Sequence, residues 1–370
     1  MIKFNTKLRD ELVKSERYRL NCKKLSKSKL INKAFSLINE LGFCVLENVV
    51  NKDIDDIKSE IRAAQIKISK NHNKYKNYLK KKIDIESLLK KKDIKIRKSK
   101  FNNKIYKLVN DIYWLPKFSK YLADQKITDI SKLLLDDHIR ISQIHLKCNN
   151  FKAKLTKKNS YELDQFGLPR IRGSHKSLRE WHTDWPHDPW AYGGKNPKEN
   201  IGCIREPFPD LIMGLVVIHL FNGTTNQQGT WVIPGSHKFG TSPRNGKISL
   251  TSKLPSEMQI NASAGSVFFQ DTRLWHSASM LSSQVERISV VSRWYPWWLQ
   301  INDFATESIF NIVNRPLSKT DFHRLPKKLK PFMVHLCNDI NEIIQKPILI
   351  RSQKYVKDSF KFYKNLPKKN

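Results

Sequence analysis

Cysteine is scarce in this chain of 370 residues, and the few that occur form no recognisable framework. No two of them make a Cys-x-x-Cys pair, and their number is odd, so the pattern does not indicate a set of disulfides. We expect buried free thiols in a protein of a reducing compartment. The five are Cys22, Cys44, Cys148, Cys203 and Cys337.

Long apolar segments are missing as well. The N-terminus lacks the apolar core of a signal peptide, and no later stretch has the length of a membrane span. We therefore expect a soluble, cytoplasmic protein without a membrane partner.

Acidic residues are few, with 34 Asp and Glu against 68 Lys and Arg, which gives a formal net charge of +34. Such a balance can mark a protein that binds nucleic acid or an anionic membrane. Here Lys is accompanied by abundant Ile and Asn throughout, as an A+T-rich coding sequence would produce, and no nucleic-acid-binding motif is present. Diffuse compositional bias is the favoured interpretation, and in either case the charge attracts anionic substrates.

The stretch from Glu180 to His187 carries the first chemical signal. In an extended strand His182 and Asp184, two residues apart, project from the same side. Two histidines and one carboxylate that leave one side of the ion open are the ligand set of non-haem Fe(II) oxygenases. A His-x-Asp pair alone is weak evidence, because surface strands offer it by chance.

The third ligand must come from elsewhere in the chain, and the best candidate is His276. It follows a strand-like segment, and Arg287 lies on a further strand-like run eleven residues beyond it. Two strand-borne ligands, a distal histidine and a following arginine form a much more specific combination. The sequence therefore predicts an Fe(II) site at His182, Asp184 and His276.

The N-terminal region from 25 to 66 is predicted to form a helix, a strand and a helix. Apolar residues at helical spacing from Leu25 to Leu41 stop at Gly42. The basic stretch 67–107, which contains three tyrosines, is predicted to be a solvated helical insertion. Stacking of these tyrosines on single-stranded bases is the less favoured alternative.

Short strands with Gly and Pro turns follow, and they predict a β-sandwich or jelly roll with its core at about 138–298. The polar segments Asn149–Ser177 and 186–210 are predicted to be loops. We expect residues 1–300 to form one domain and 301–370 to be a helical extension with a basic tail.

Three further histidines are interpreted as structural. His187, beyond Pro186, is expected at the loop surface, and a contact with the metal ligands or the substrate is the less favoured alternative. His219, within an apolar strand, is predicted to be a hydrogen-bonded core residue. His237, in a Pro-Gly-Ser-His turn, is predicted to have a packing role.

Four segments together resemble the phytanoyl-CoA dioxygenase family of Fe(II)/2-oxoglutarate-dependent oxygenases. The resemblance is strongest from 178 to 298, and it implies a double-stranded β-helix, a cupin-like jelly roll. With flanking N- and C-terminal helices the expected fold class is α+β. The segments are His182 to Asp184, Gly229 to Lys238, Ala264 to Val267 and Leu274 to Ser289.

The resemblance implies that His182, Asp184 and His276 ligate iron and that Arg287 binds the distal carboxylate of 2-oxoglutarate. A guanidinium suits that task because its planar fork matches a carboxylate. Ser289, two residues along the same strand, faces the same way and is expected to share this carboxylate. Further contacts upstream are assigned to Gln143, His145 and Lys147, while Ala278 departs from the hydroxyl residue frequent in the family.

The implied reaction decarboxylates 2-oxoglutarate to succinate and CO2 and uses O2 to oxidise a substrate C–H bond. Halogenating relatives replace the carboxylate ligand with a small residue, so Asp184 favours hydroxylation. We expect a small-molecule substrate, with anionic ones favoured by charge. Two alternatives stay open: an oxygenase acting on nucleic acid or a modified base, and a catalytically silent jelly-roll binding protein.

Overall fold

The computed structural model describes about half of the chain, in segments. It divides the chain into two compact units, Met1–Asn314 and Arg315–Asn370. The basic stretch 67–107 lies outside the described residues. The segments are 2–63, 115–149, 161–163, 169–171, 181–184, 187, 204, 206–224, 229–245, 248, 253–277, 287–299 and 319–336.

The helix predicted before Gly42 is confirmed, and local signals explain both of its ends. Helix α2 spans Lys27–Leu41, and the Ser26 hydroxyl caps it by accepting a hydrogen bond from the Lys29 amide. Gly42 ends it in the left-handed conformation at φ +86°, which glycine adopts without strain. The apolar stripe between these caps is buried.

The other helices are short. Helix α1 precedes α2, and residues 54–63 form α3, in agreement with the predicted second helix of the N-terminal region. Helix α4 comes after the undescribed basic stretch, and α5 follows α4. The bounds are Thr6–Ser15 for α1, Pro116–Leu122 for α4 and Gln125–Leu134 for α5.

Eleven strands are described in the first unit, and six of them form the main sheet. They are β1 Arg19–Asn21, β2 Phe43–Glu47, β3 Ile139–Asn149, β4 Tyr161–Leu163, β5 Pro169–Ile171, β6 Leu215–Leu220, β7 Trp231–Val232, β8 Met258–Gln259, β9 Ser266–Asp271, β10 His276–Ser277 and β11 Arg287–Pro296. The main sheet has the order β1-β2-β9-β6-β11-β3, in which only the β1–β2 pair is parallel. A second sheet has the order β10-β7-β8.

Strands β4 and β5 form an antiparallel hairpin within Asn149–Ser177, so the prediction of a loop there is wrong for these residues. The Gly and Pro residues that suggested a loop also punctuate turns between short strands, and sequence alone does not separate the two cases.

Strands β11, β6 and β9 are neighbours near the middle of the main sheet and present one shared face to the site. Arg293 on β11 pairs with Val216 on β6, which pairs with Gln270 on β9. Directly paired residues point to the same face of a sheet. Val291 and Ile218 pair in the adjacent row.

The second unit is described from 319 to 336, where it is helical. Helix α6 spans Lys319–Arg324 and α7 spans Lys330–Met333, followed by a 3-10 turn at Val334–Leu336. Helices were predicted in this part of the chain. In the portions that the structure describes, no helix combines the length and apolar character needed to cross a membrane.

Candidate metal centre

The segment that carries His182 and Asp184 is fixed by backbone hydrogen bonds to the chain around His276. His182 and His276 exchange two amide-to-carbonyl bonds of 3.0 Å, and the Asp184 amide donates to the Thr272 carbonyl at 2.8 Å. On one side of this segment Trp181 is buried in a core cluster with Trp275. The predicted strand here is therefore wrong in extent: residue 182 forms an isolated bridge.

The three predicted ligands meet at one point. One ligand atom from each of His182, Asp184 and His276 can be chosen so that all lie within 4.8 Å of one another. Nε2 of His276 lies 3.6 Å from Oδ2 of Asp184, and the two imidazole centroids are 4.2 Å apart. Asp184 and His276 are buried, with 7% and 8% of their surface exposed.

Hydrogen bonds orient the His276 ring for metal binding. Its Nδ1 lies 2.9 Å from the Leu274 carbonyl, an acceptor, so Nδ1 carries the proton and Nε2 keeps its lone pair. The Gln270 amide contacts the same Nδ1 at 2.9 Å. With Nδ1 protonated, this amide must turn its oxygen toward the ring.

Arg293 contacts the carboxylate of the cluster, which the sequence analysis did not predict. Its Nη2 donates to Oδ1 of Asp184 at 2.7 Å. Burial alone would raise the pKa of Asp184, but the charge of Arg293 and its hydrogen bond oppose this and hold the pKa well below its ordinary value. The carboxylate is therefore ionised, as a metal ligand must be.

A cavity of about 530 Å³, open to solvent, contains the cluster. Arg287, the predicted 2-oxoglutarate residue, lines it together with an apolar wall from the main sheet. Ser289 lies on the same strand and is fully buried, but it is not among the lining residues. The lining is His182, Asp184, Val216, Ile218, Thr230, Gln270, His276, Arg287, Val291 and Arg293.

A buried ion pair shapes the turn between β9 and β10 that precedes His276. Arg273 donates through Nη2 and Nε to the carboxylate of Asp271, with distances from 2.8 to 3.3 Å. Nη1 of Arg273 also donates to the Pro209 carbonyl at 2.9 Å. These bonds hold the turn in one conformation and so set the position from which His276 enters the site.

The remaining histidines differ in part from expectation. His187 is fully buried against Phe208, so the predicted surface position is wrong. His219 is a core residue whose Nε2 bonds the Tyr121 carbonyl, and His237 is buried with its Nε2 bonding the Asn39 carbonyl. Both of these predictions are confirmed.

Several residues considered in the sequence analysis lie outside the described side chains, namely Gln143, His145, Lys147 and Ala278. The thiols of Cys22 and Cys44 are free, Cys44 buried and Cys22 half-buried. Two site residues were missed, Gln270 and Arg293. Arg293 has the same strand parity as Arg287, and that alternation is the signal that could have identified it.

The donor set fits iron. Two imidazoles and one carboxylate grouped at one point are the facial triad of non-haem Fe(II) oxygenases. Among the described residues no other group of three or more metal-binding side chains was found. The site opens to the cavity, so further ligands have access.

Several solved structures are similar to this chain at low identity. The non-haem alpha-ketoglutarate-dependent epimerase SnoN from nogalamycin biosynthesis is 12% identical, with a TM-score of 0.42 over 72% of this chain and 83% of that one. HygX from Streptomyces hygroscopicus, with nickel and 2-oxoglutarate bound, is 11% identical, with a TM-score of 0.40 over 72% and 87%. EctD from S. alaskensis with bound Fe is 16% identical, with a TM-score of 0.40 over 71% and 75%. No curated protein matches the chain.

A family match covers most of the chain and includes all of the predicted site. The phytanoyl-CoA dioxygenase (PhyH) family matches residues 38–289, a segment that contains the three clustered ligands and Arg287. The cluster has the donor set that this chemistry requires. The chain therefore belongs to the phytanoyl-CoA dioxygenase family and is a non-haem dioxygenase that uses Fe(II), 2-oxoglutarate and O2.

Proposed function

We propose that the protein hydroxylates a small molecule, with Fe(II) held by His182, Asp184 and His276. The observation that carries this proposal is the convergence of these three side chains in a cavity that Arg287 also lines. When bound, iron with 2-oxoglutarate and O2 supplies the oxidising chemistry and decarboxylates 2-oxoglutarate to succinate and CO2. The protein's own residues orient the reactants.

Arg287 is proposed to bind the distal carboxylate of 2-oxoglutarate. It lies at the start of β11 and is almost fully buried, so a carboxylate that reached it would be shielded from water. A guanidinium in such a setting binds a carboxylate through two parallel hydrogen bonds. Ser289 is proposed as a second donor to the same group, on the basis of its shared strand face.

The lining of the cavity supports a small-molecule substrate. Val216, Ile218 and Val291 form an apolar wall, while two arginines add positive charge. We infer a substrate with an apolar part, and its anionic character is proposed from the charge alone.

The presence of Asp184 supports hydroxylation over halogenation, since the carboxylate occupies the position that a halide would need. We also propose that the two sheets form the walls of a double-stranded β-helix with its core at about 138–298. Residues 1–300 are proposed as the oxygenase domain and 301–370 as a helical extension.

The cofactor claim is tested by adding Fe(II) and 2-oxoglutarate to the purified full chain without oxygen. A weak visible charge-transfer band is expected, because a 2-oxo acid that chelates the metal produces one. The His182→Ala variant should not give it. Folded wild-type protein without the band would contradict the proposal.

Replacement of Arg287 tests the proposed binding site for the distal carboxylate of 2-oxoglutarate. Arg287→Met is expected to weaken 2-oxoglutarate binding by about 10- to 100-fold, since hydrogen bonds to charged groups contribute about 1.5–3 kcal/mol. Titration of the band with 2-oxoglutarate measures the change. Arg244→Met, on a short 3-10 helix away from the lining, is the matched control, and equal affinities in all three proteins would exclude Arg287 as the anchor.

Substrate identity is tested by succinate release in air over a panel of small metabolites. A substrate should increase succinate formation and yield a product heavier by one oxygen atom. A desaturated or ring-closed product would agree with a dioxygenase but would exclude hydroxylation as its reaction.

A further inference from the structure

We propose that Arg293 is a positioning residue of the metal centre: it holds one oxygen of the Asp184 carboxylate and leaves the other as the single oxygen that binds the metal. This inference rests on the proposed ligand set. It concerns a residue four positions beyond the family match, which ends at residue 289.

The two carboxylate oxygens of Asp184 have different partners. Oδ1 accepts a hydrogen bond from Nη2 of Arg293 at 2.7 Å, whereas Oδ2 lies 3.6 Å from Nε2 of His276. Atoms that bind one ion at about 2.1 Å lie about 3 to 4 Å apart. Oδ2 is therefore suitably placed to share a metal with His276, and Oδ1 is occupied by the guanidinium.

Burial makes this bond an effective constraint. The side chain of Asp184 is 9% exposed and that of Arg293 is 22% exposed, so water and salt screen the pair only in part. A charge-assisted hydrogen bond in such a setting is short and directional. Rotation of the carboxylate to bring both oxygens to a metal would break it.

The position of Arg293 in the main sheet directs its side chain into the cavity. Arg293 lies on the face of β11 that points into the cavity, opposite Val216. The pairing of β11 with β6 stays in register through Arg293 and Trp294, so these two side chains point to opposite faces of the sheet. Trp294 is fully buried on the other face and anchors the strand there.

Arg287 offers a matched comparison on the same strand. It is six residues from Arg293, about 20 Å along an extended strand. Both side chains line the cavity, and Arg293 donates a hydrogen bond to Asp184, a proposed metal ligand. Loss of either arginine removes the same charge from the cavity, so a difference between the two variants reports on the contact with Asp184.

The experiment titrates Co(II), in place of iron, into the metal-free full chain and follows its visible absorption. The proteins are wild type, Arg293→Met, Arg293→Lys and Arg287→Met. We expect Arg293→Met to bind Co(II) about 10- to 100-fold more weakly, the usual effect of removing a partner of a metal ligand. Its spectrum should change because both oxygens of Asp184 become available. Arg293→Lys should recover part of the affinity, and Arg287→Met should match the wild type.

Wild-type affinity and spectrum in Arg293→Met would overturn the proposal. So would an equal loss in Arg287→Met, because the lost cavity charge would then explain both. Near-ultraviolet circular dichroism of the metal-free proteins tests folding, and if Arg293→Met does not fold, Arg293→Lys carries the test: unchanged Co(II) binding contradicts the inference. The proposed function itself is contradicted if the wild-type protein binds no Co(II), or if its Co(II) binding is unchanged in His182→Ala.

Discussion

His219 is a buried polar side chain with only one of its ring nitrogens paired. It is fully buried in β6, where its ring packs edge-on against Phe118 and parallel to Phe221. Its Nε2 bonds the Tyr121 carbonyl at 3.3 Å, whereas Nδ1 has no partner among the described residues. Burial lowers the pKa of His219 to about 4, and the bond to the Tyr121 carbonyl opposes this shift only in part.

This shift predicts acid sensitivity. The unfolded chain protonates His219 below about pH 6.5, whereas the folded protein does so only near pH 4. Between these values the unfolded state binds more protons, so stability falls as the pH falls. For His219→Phe we expect the free energy of unfolding to fall about 2 kcal/mol less than in the wild type between pH 7 and pH 5.

Urea unfolding at both pH values measures this difference. His138→Phe, at an exposed histidine, controls for the loss of a histidine as such. Parallel pH dependences of wild type and His219→Phe would show that the buried ring does not resist protonation.

At the same scale, the residues of the metal cluster were predictable because their chemistry is local and specific. His182 and Asp184 stand two apart, and few other roles require a distal histidine followed by an arginine. Arg293 was not predictable in the same way, because its partner Asp184 is 109 residues away in sequence. Gln270 was missed for a different reason: it is only six residues from His276, but the contact depends on how β9 meets the turn that follows it.

At the scale of elements, the turn from β9 to β10 depends on a buried ion pair. Arg273 and Asp271 are almost completely buried, and the arginine bonds both oxygens of the carboxylate. Removal of one partner leaves an uncompensated charge in the interior. We expect Arg273→Met to lose about 3–5 kcal/mol of unfolding free energy.

Chemical denaturation at neutral pH checks this value. Asp210→Asn is the control, because that carboxylate is 83% exposed and its ion pair with Arg273 should contribute little. The double variant Arg273→Met with Asp271→Asn should regain part of the loss, since no buried charge remains. A similar loss of unfolding free energy in Asp210→Asn would mean that the exposed ion pair between Arg273 and Asp210, and not the buried pair, holds the turn.

Elements were predictable where local signals decide them. Helix α2 follows from its apolar spacing, the Ser26 cap and Gly42, all within the same short stretch. The backbone around His182 was predicted to be a strand, but within the part of the chain that the structure describes it forms an isolated bridge with His276. The prediction that His182 and Asp184 point to the same side was correct. The extent of backbone pairing was not predictable from this segment, because it depends on the chain around His276.

At the scale of the whole molecule, net charge and site suggest different partners. A net charge of +34 would draw any polyanion toward the protein. The cavity has an apolar wall of Val216, Ile218 and Val291, which suits a small molecule, and an oxygenase that acts on a base in a duplex must first extrude that base. We interpret the charge as diffuse, so that it favours anionic small molecules in general and does not indicate a nucleic-acid substrate.

This interpretation predicts nucleic-acid binding that is weak and independent of the site. Fluorescence anisotropy with a labelled single-stranded oligonucleotide should detect binding at low salt and lose it by about 200 mM salt, because release of counterions drives such contacts. The variants His182→Ala and Arg287→Met should bind as the wild type does, with or without 2-oxoglutarate. Retention at moderate salt that is lost in these variants would instead favour an oxygenase acting on nucleic acid, since only a strand that enters the cavity can respond to both residues.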